Sequence, residues 1–106
     1  MKKLQSQFVK ILAATVLTPL AFSVSASEIS NAELSATTCF QCHGAEGQSA
    51  GGAIPPLAGY PEKVMVQQLL DMKSGKRAST VMGRHAKGYT DDEIRAIAKY
   101  LSTLKP

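Results

Sequence analysis

Five consecutive residues, Cys39-Phe40-Gln41-Cys42-His43, decide how the rest of this chain is read. A C-x-x-C-H run is the attachment signature of c-type haem. Each thiol can form a thioether to a haem vinyl group, and the adjacent imidazole can bind the iron. On a helix, Cys39, Cys42 and His43 fall at i, i+3 and i+4, which sets all three on one face. Other uses of these residues fit less well. A thioredoxin-like redox pair belongs in a βαβ context, and the sequence has no period-2 alternation to suggest strands. Adjacent Cys42 and His43 are awkward partners in one tetrahedral zinc shell, even with His85 added. A disulfide between cysteines two residues apart closes almost no loop and would be a weak staple.

Working back from the motif, Ser30-Asn31-Ala32-Glu33 has the form of a capping box, a Ser N-cap with Glu three residues later. It predicts a helix running to Gln41–His43, with Leu34, Ala36 and Phe40 as apolar members and Gly44 as its stop. Ahead of it, Lys2, Lys3 and Lys10 precede a mostly apolar run that ends in Val24-Ser25-Ala26. Residues 1–26 are expected to be a cleaved secretory signal peptide. The apolar run is shorter than the ~20 residues of a spanning helix and is broken by Pro19.

The remaining domain, residues 27–106, is small, has no Trp and is poor in aromatic residues, so its core is thin. Chains of this size commonly need a staple, and a covalently held haem would serve as one. Three of the 12 Lys and Arg lie in the leader, which leaves nine against eight acidic residues. The mature domain is close to neutral, so the basic precursor does not point to nucleic acid.

Working forward from the motif, residues 44–61 are rich in Gly and Pro and read as a loop that would wrap the edge of a cofactor. Pro61 can open a second helix, which carries Met65, Leu69 and Met72 at i, i+4 and i+7 and ends at Gly75. Residues 76–89 read as a second irregular stretch, containing Met82-Gly83-Arg84-His85. Thr90-Asp91-Asp92-Glu93 is another capping box. It opens a last helix with Ile94, Ile97, Ala98, Leu101 and Leu104 on one stripe. The expected domain is all-α.

His43 would bind iron as neutral imidazole, and its other ring nitrogen then needs an acceptor to fix the ring. The region of Pro55-Pro56 is the natural source. For the opposite axial position, Met65 and Met72 fall on a helical stripe and read as core filler. Met82, expected in a loop with no helical face to fill, is the first choice. His85 is its rival. A thioether ligand raises the potential into the range useful for electron carriers.

These residues resemble class I cytochromes c over essentially all of residues 27–106. Cys39 to His43 match the haem-attachment motif. Pro55-Pro56-Leu57-Ala58-Gly59 looks like the family's Pro-x-Leu-x-Gly loop, which implies that the Pro55 carbonyl accepts a hydrogen bond from His43. Ile97-Ala98-Lys99-Tyr100-Leu101 is similar to the C-terminal helix that packs across the first. The resemblance implies three or four helices around one covalently attached haem c. A narrower likeness lies in Lys73 to Arg84 and in Ala86-Lys87-Gly88-Tyr89, which resemble the N-terminal haem domain of the cytochrome subunit of flavocytochrome c sulfide dehydrogenase. There the methionine matching Met82 is the axial ligand. Two departures stand out: a single haem motif, and His85 where an apolar residue is expected.

The expected function is one-electron transfer in the periplasm, without substrate chemistry and without stable membrane insertion after cleavage. The expected partner is a redox protein, a flavoprotein (FAD) subunit that performs the sulfide chemistry. The alternatives are a free-standing small cytochrome serving a terminal oxidase or other redox partner, and a five-coordinate haem sensor or peroxidase.

Overall fold

Ser30 and Thr90, two hydroxyl residues each followed three positions later by a glutamate, begin two of the four α-helices in the computed structural model, which describes residues 29–106. The expected leader, residues 1–26, lies outside the described residues. The helices are α1 (Asn31–His43), α2 (Glu62–Ser74), α3 (Met82–Lys87) and α4 (Asp91–Thr103), with a 3-10 turn at Ala45–Gly47. Among the described residues there is no strand.

At the start of α1 the Ser30 hydroxyl accepts from the Glu33 amide at 3.1 Å. At α4 the box closes in both directions. Glu93 donates its amide to the Thr90 hydroxyl at 3.2 Å, and its carboxylate accepts from the Thr90 amide at 2.7 Å. These bonds satisfy amides that a helix start leaves without partners. Helix α2 begins after Pro61, which stands at the N-cap, and ends on Gly75 in the left-handed conformation (φ 83°).

Helix α4 packs against both α1 and α2, and α3 packs against α2. Ile94, Ile97, Ala98 and Leu101, spaced to share one face of α4, are all buried. Fully burying side chains such as Ile94 and Leu101 is worth roughly 1.5–3 kcal/mol each. Ala36 of α1 and Ala98 of α4 are both 0% exposed and belong to one core cluster.

The structure revises several local expectations. Residues 76–89 are not wholly irregular, because they contain α3. Met82 is therefore the first residue of a short helix and not a loop residue. The Gly- and Pro-rich stretch after α1 accommodates the Ala45–Gly47 turn. Leu34, expected on the apolar face of α1, is 61% exposed. Leu104 is the extended C-cap of α4 (φ −71°, ψ 149°) and packs at the edge of the core without being part of the helix.

Candidate haem centre

His43 ends α1, and the next residue allows the chain to turn back over it. Gly44 has φ +84°, and a Cβ there would lie 2.5 Å from the Ser49 carbonyl carbon. Only glycine meets both conditions. The reversal is held by the Ser49 amide, which donates to the His43 carbonyl at 2.6 Å. Gly47 then accepts at its carbonyl from the Leu57 and Ala58 amides at 2.7 and 3.0 Å, closing the intervening segment into a loop. The loop presents the Pro55 carbonyl oxygen 2.6 Å from His43 Nδ1. The imidazole is buried, at 7% exposure. Because Nδ1 is engaged with a carbonyl, the lone pair free to bind a metal is on Nε2.

The remaining sequence-selected residues surround one cavity of about 420 Å³, within the range of small-molecule and cofactor pockets. Helix α1 contributes Thr38, Cys39, Cys42 and His43 to its lining. The loop contributes Ala53, Ile54, Pro55 and Leu57, and α2 contributes Met65, Leu69 and Met72. The segment through α3 adds Met82, His85 and Ala86, and α4 adds Ile94, Ile97 and Leu101. The lining is mostly apolar, with potential metal donors from α1 (Cys39, Cys42 and His43), α2 (Met65 and Met72) and α3 (Met82 and His85).

No disulfide joins the two cysteines. Cys42 is exposed and Cys39 half-buried. Burial pushes the Cys39 thiol up from its ordinary value, offset in part by a hydrogen bond from Thr38. Met82 is half-buried, and His85 is exposed while still lining the cavity. Met65 is buried in the core cluster, whereas Leu69 and Met72 are half-buried and lie along the cavity wall. The α2 stripe that reads as core filler in sequence is therefore shared between a protein core and a cofactor-sized cavity.

Sequence reasoning missed a polar clasp on this wall. Tyr89 lines the cavity, and its hydroxyl lies 3.0 Å from the Thr38 hydroxyl of α1. Its carbonyl accepts from Lys73 Nζ at 2.7 Å, and the same ammonium pairs with Asp91 at 2.7 Å. Lys73 thus ties the end of α2 to the start of α4. Nothing in the local sequence marks Lys73 for this role, because its partners lie 16 and 18 residues away.

The donor set suits haem. Two thiols and a carbonyl-oriented imidazole on one helix, at an apolar cavity also lined by Met65, Met72 and Met82, are groups that could attach and ligate a haem within a low-dielectric enclosure. An all-helical fold with that cavity defines a haem-binding electron-transfer protein.

Residues 31–105 match the family described as "Cytochrome c". The chain is 45% identical over 75 residues to the cytochrome subunit of sulfide dehydrogenase from Chlorobaculum tepidum, covering 71% of this chain and 67% of that one. It is 37% identical over 98 residues to a thiosulfate dehydrogenase electron acceptor from Thiomonas intermedia, covering 92% of this chain and 45% of that one. A solved structure of cytochrome c4 from Acidithiobacillus ferrooxidans superposes with a TM-score of 0.63 at 30% identity, covering 76% of this chain and 53% of that one. The chain thus spans about half the length of the last two. It belongs to the cytochrome c family. Members of the family carry one covalently attached c-type haem and act as electron carriers for redox partners, not as catalysts.

Proposed function

We propose that this chain is an exported electron carrier whose single haem is held by Cys39 and Cys42 and ligated by His43 and Met82. The observation that carries the reading is the 2.6 Å contact between His43 Nδ1 and the Pro55 carbonyl, made at the wall of an apolar cavity that Cys39, Cys42 and Met82 also line. In this reading residues 1–26 direct export to the periplasm and are removed, leaving 27–106 as one cytochrome domain.

When bound, the haem supplies a one-electron couple at its iron. The chain's residues set the conditions for that couple. Cys39 and Cys42 would hold the haem to α1 through thioether bonds. Pro55 orients the His43 ring and raises its basicity by accepting its N–H. Met82 supplies a thioether that favours a higher potential. Leu69, Met72, Ile97 and Leu101 exclude water, keeping the dielectric low around the centre. No helix among the described residues is long and apolar enough to cross a membrane.

The proposed setting is the haem subunit of a sulfide-oxidising flavocytochrome, taking electrons from a flavoprotein (FAD) subunit that performs the sulfide chemistry. Similarity to the Chlorobaculum tepidum cytochrome subunit supports this reading. Purification from the periplasmic fraction of the native host tests it. A stoichiometric flavin-containing partner is expected, and a lone monomer contradicts the subunit reading. A free-standing carrier is the second reading, favoured by similarity along 92% of the chain to the Thiomonas intermedia electron acceptor.

A further inference from the structure

The short helix α3 changes what can be said of His85. In an irregular loop, Met82 and His85 would have no fixed relation. On α3 they stand at i and i+3, a spacing that brings side chains onto one helical face. Both line the same cavity. The segment is fixed from behind: Ala86 is 2% exposed, and the Gly83 amide donates to the Ser79 hydroxyl at 2.9 Å. A Cβ on Gly83 would lie 3.1 Å from the Met72 carbonyl oxygen, so α3 sits close against the end of α2. The cavity-facing side of this helix therefore carries two metal-binding donors, a thioether and an imidazole. The imidazole is exposed and makes no hydrogen bond through its ring among the described residues.

We propose that His85 is a second, reserve axial donor for the iron, which replaces Met82 when the thioether is lost from the metal. The proposal rests on the assignment of Met82 as the axial ligand. The exchange breaks one sulfur–iron bond and forms one nitrogen–iron bond, with no electron transferred in the step. Three residues of helix rise amount to ~4.5 Å, a distance that sliding α3 or reorienting the long Met82 and His85 side chains can supply. The product is a centre with two imidazole ligands, which shifts the couple toward lower potential by removing the thioether. A carrier built this way keeps a closed six-coordinate iron after damage to Met82, such as oxidation of its sulfur to the sulfoxide. It does not become a ligand-binding site.

The test compares holoproteins carrying Met82→Ala, His85→Ala and both changes, by electron paramagnetic resonance and near-infrared absorption of the oxidised form in mildly alkaline buffer. The expected pattern has three parts. Met82→Ala loses the sulfur-to-iron charge-transfer band yet remains low-spin with a two-imidazole spectrum. His85→Ala alone keeps the band. The double variant becomes high-spin and, once reduced, binds carbon monoxide rapidly. A high-spin Met82→Ala protein unaffected by further loss of His85 overturns the reserve-donor proposal and leaves the Met82 assignment standing. A charge-transfer band that survives Met82→Ala overturns both. If the alanine variant does not accumulate, Met82→Leu preserves the volume of the site and supports the same comparison.

Discussion

His43 Nδ1 and the Pro55 carbonyl oxygen lie 2.6 Å apart, a short contact made by a ring that is almost fully buried. The acceptor belongs to a Pro-Pro peptide, so the backbone on both sides of the carbonyl has its φ angles fixed by proline rings. The bond is therefore pre-organised by the loop. An imidazole that donates to a carbonyl is a stronger base toward the metal, and a stronger base favours the more highly charged oxidised iron. Loosening the loop with Pro55→Ala and Pro56→Ala together should raise the reduction potential while His43 stays bound. Potentiometric titration checks this, and an unchanged or lower potential argues against the role given to Pro55.

The turn that brings Pro55 to His43 depends on Gly44. Its φ of +84° and the 2.5 Å separation between a built Cβ and the Ser49 backbone carbon leave no room for alanine. Gly44→Ala should cost at least the ~1–3 kcal/mol typical of a strained backbone position. Denaturant unfolding of the holoprotein measures the loss. Wild-type stability would contradict the strain argument.

Ala36 of α1 and Ala98 of α4 are both fully buried in one core cluster. A larger apolar residue adds buried area but must displace the core neighbours already packed there. Ala98→Leu should therefore destabilise, by about 1–3 kcal/mol as for other overpacked cores. Thermal unfolding of the holoprotein gives the sign directly.

The start of α4 should make stability depend on acid. Hydrogen bonds from the Thr90 backbone and hydroxyl hold the Glu93 carboxyl below its ordinary value. A hydrogen bond from Lys73 and its charge do the same for Asp91. A carboxylate with a depressed folded-state pKa releases its proton more readily when folded, so the unfolded chain binds more protons. Stability from these groups is fully present above the ordinary carboxylate range near ~4 and is lost as pH falls through the lower folded values. Unfolding midpoints measured across this range should drop on acidification, with a shallower drop in Glu93→Gln. A slope unaltered by that substitution would count against the box as its source.

Much of this was legible because the relevant physics is local. Cys39, Cys42 and His43 share a helical face through spacing alone, and Thr90 with Glu93 marks a helix start in four residues. The apolar spacing of Ile94, Ile97, Ala98 and Leu101 likewise announced the buried face of α4. Helix α3 was not legible. Its cap is Val81 in a helical conformation with no side-chain bond, its second residue is glycine, and its support comes from Ser79 and the burial of Ala86. Those are contacts with neighbouring structure, and a six-residue helix has little periodicity to display. The exposure of Leu34 and the Lys73 clasp were hidden for a related reason: each depends on where another segment lies.

The proposed ligation of the haem iron by His43 and Met82 is tested by proton nuclear magnetic resonance of the reduced holoprotein. The ring current of the macrocycle should move the methyl group of an axial methionine far upfield, as a three-proton signal away from all other resonances. That signal should be present in the unaltered protein and in Met65→Ala, which should instead lose about 2–5 kcal/mol of stability from the core. It should vanish in Met82→Leu. An upfield methyl that survives Met82→Leu, or none in the unaltered protein, would contradict the account.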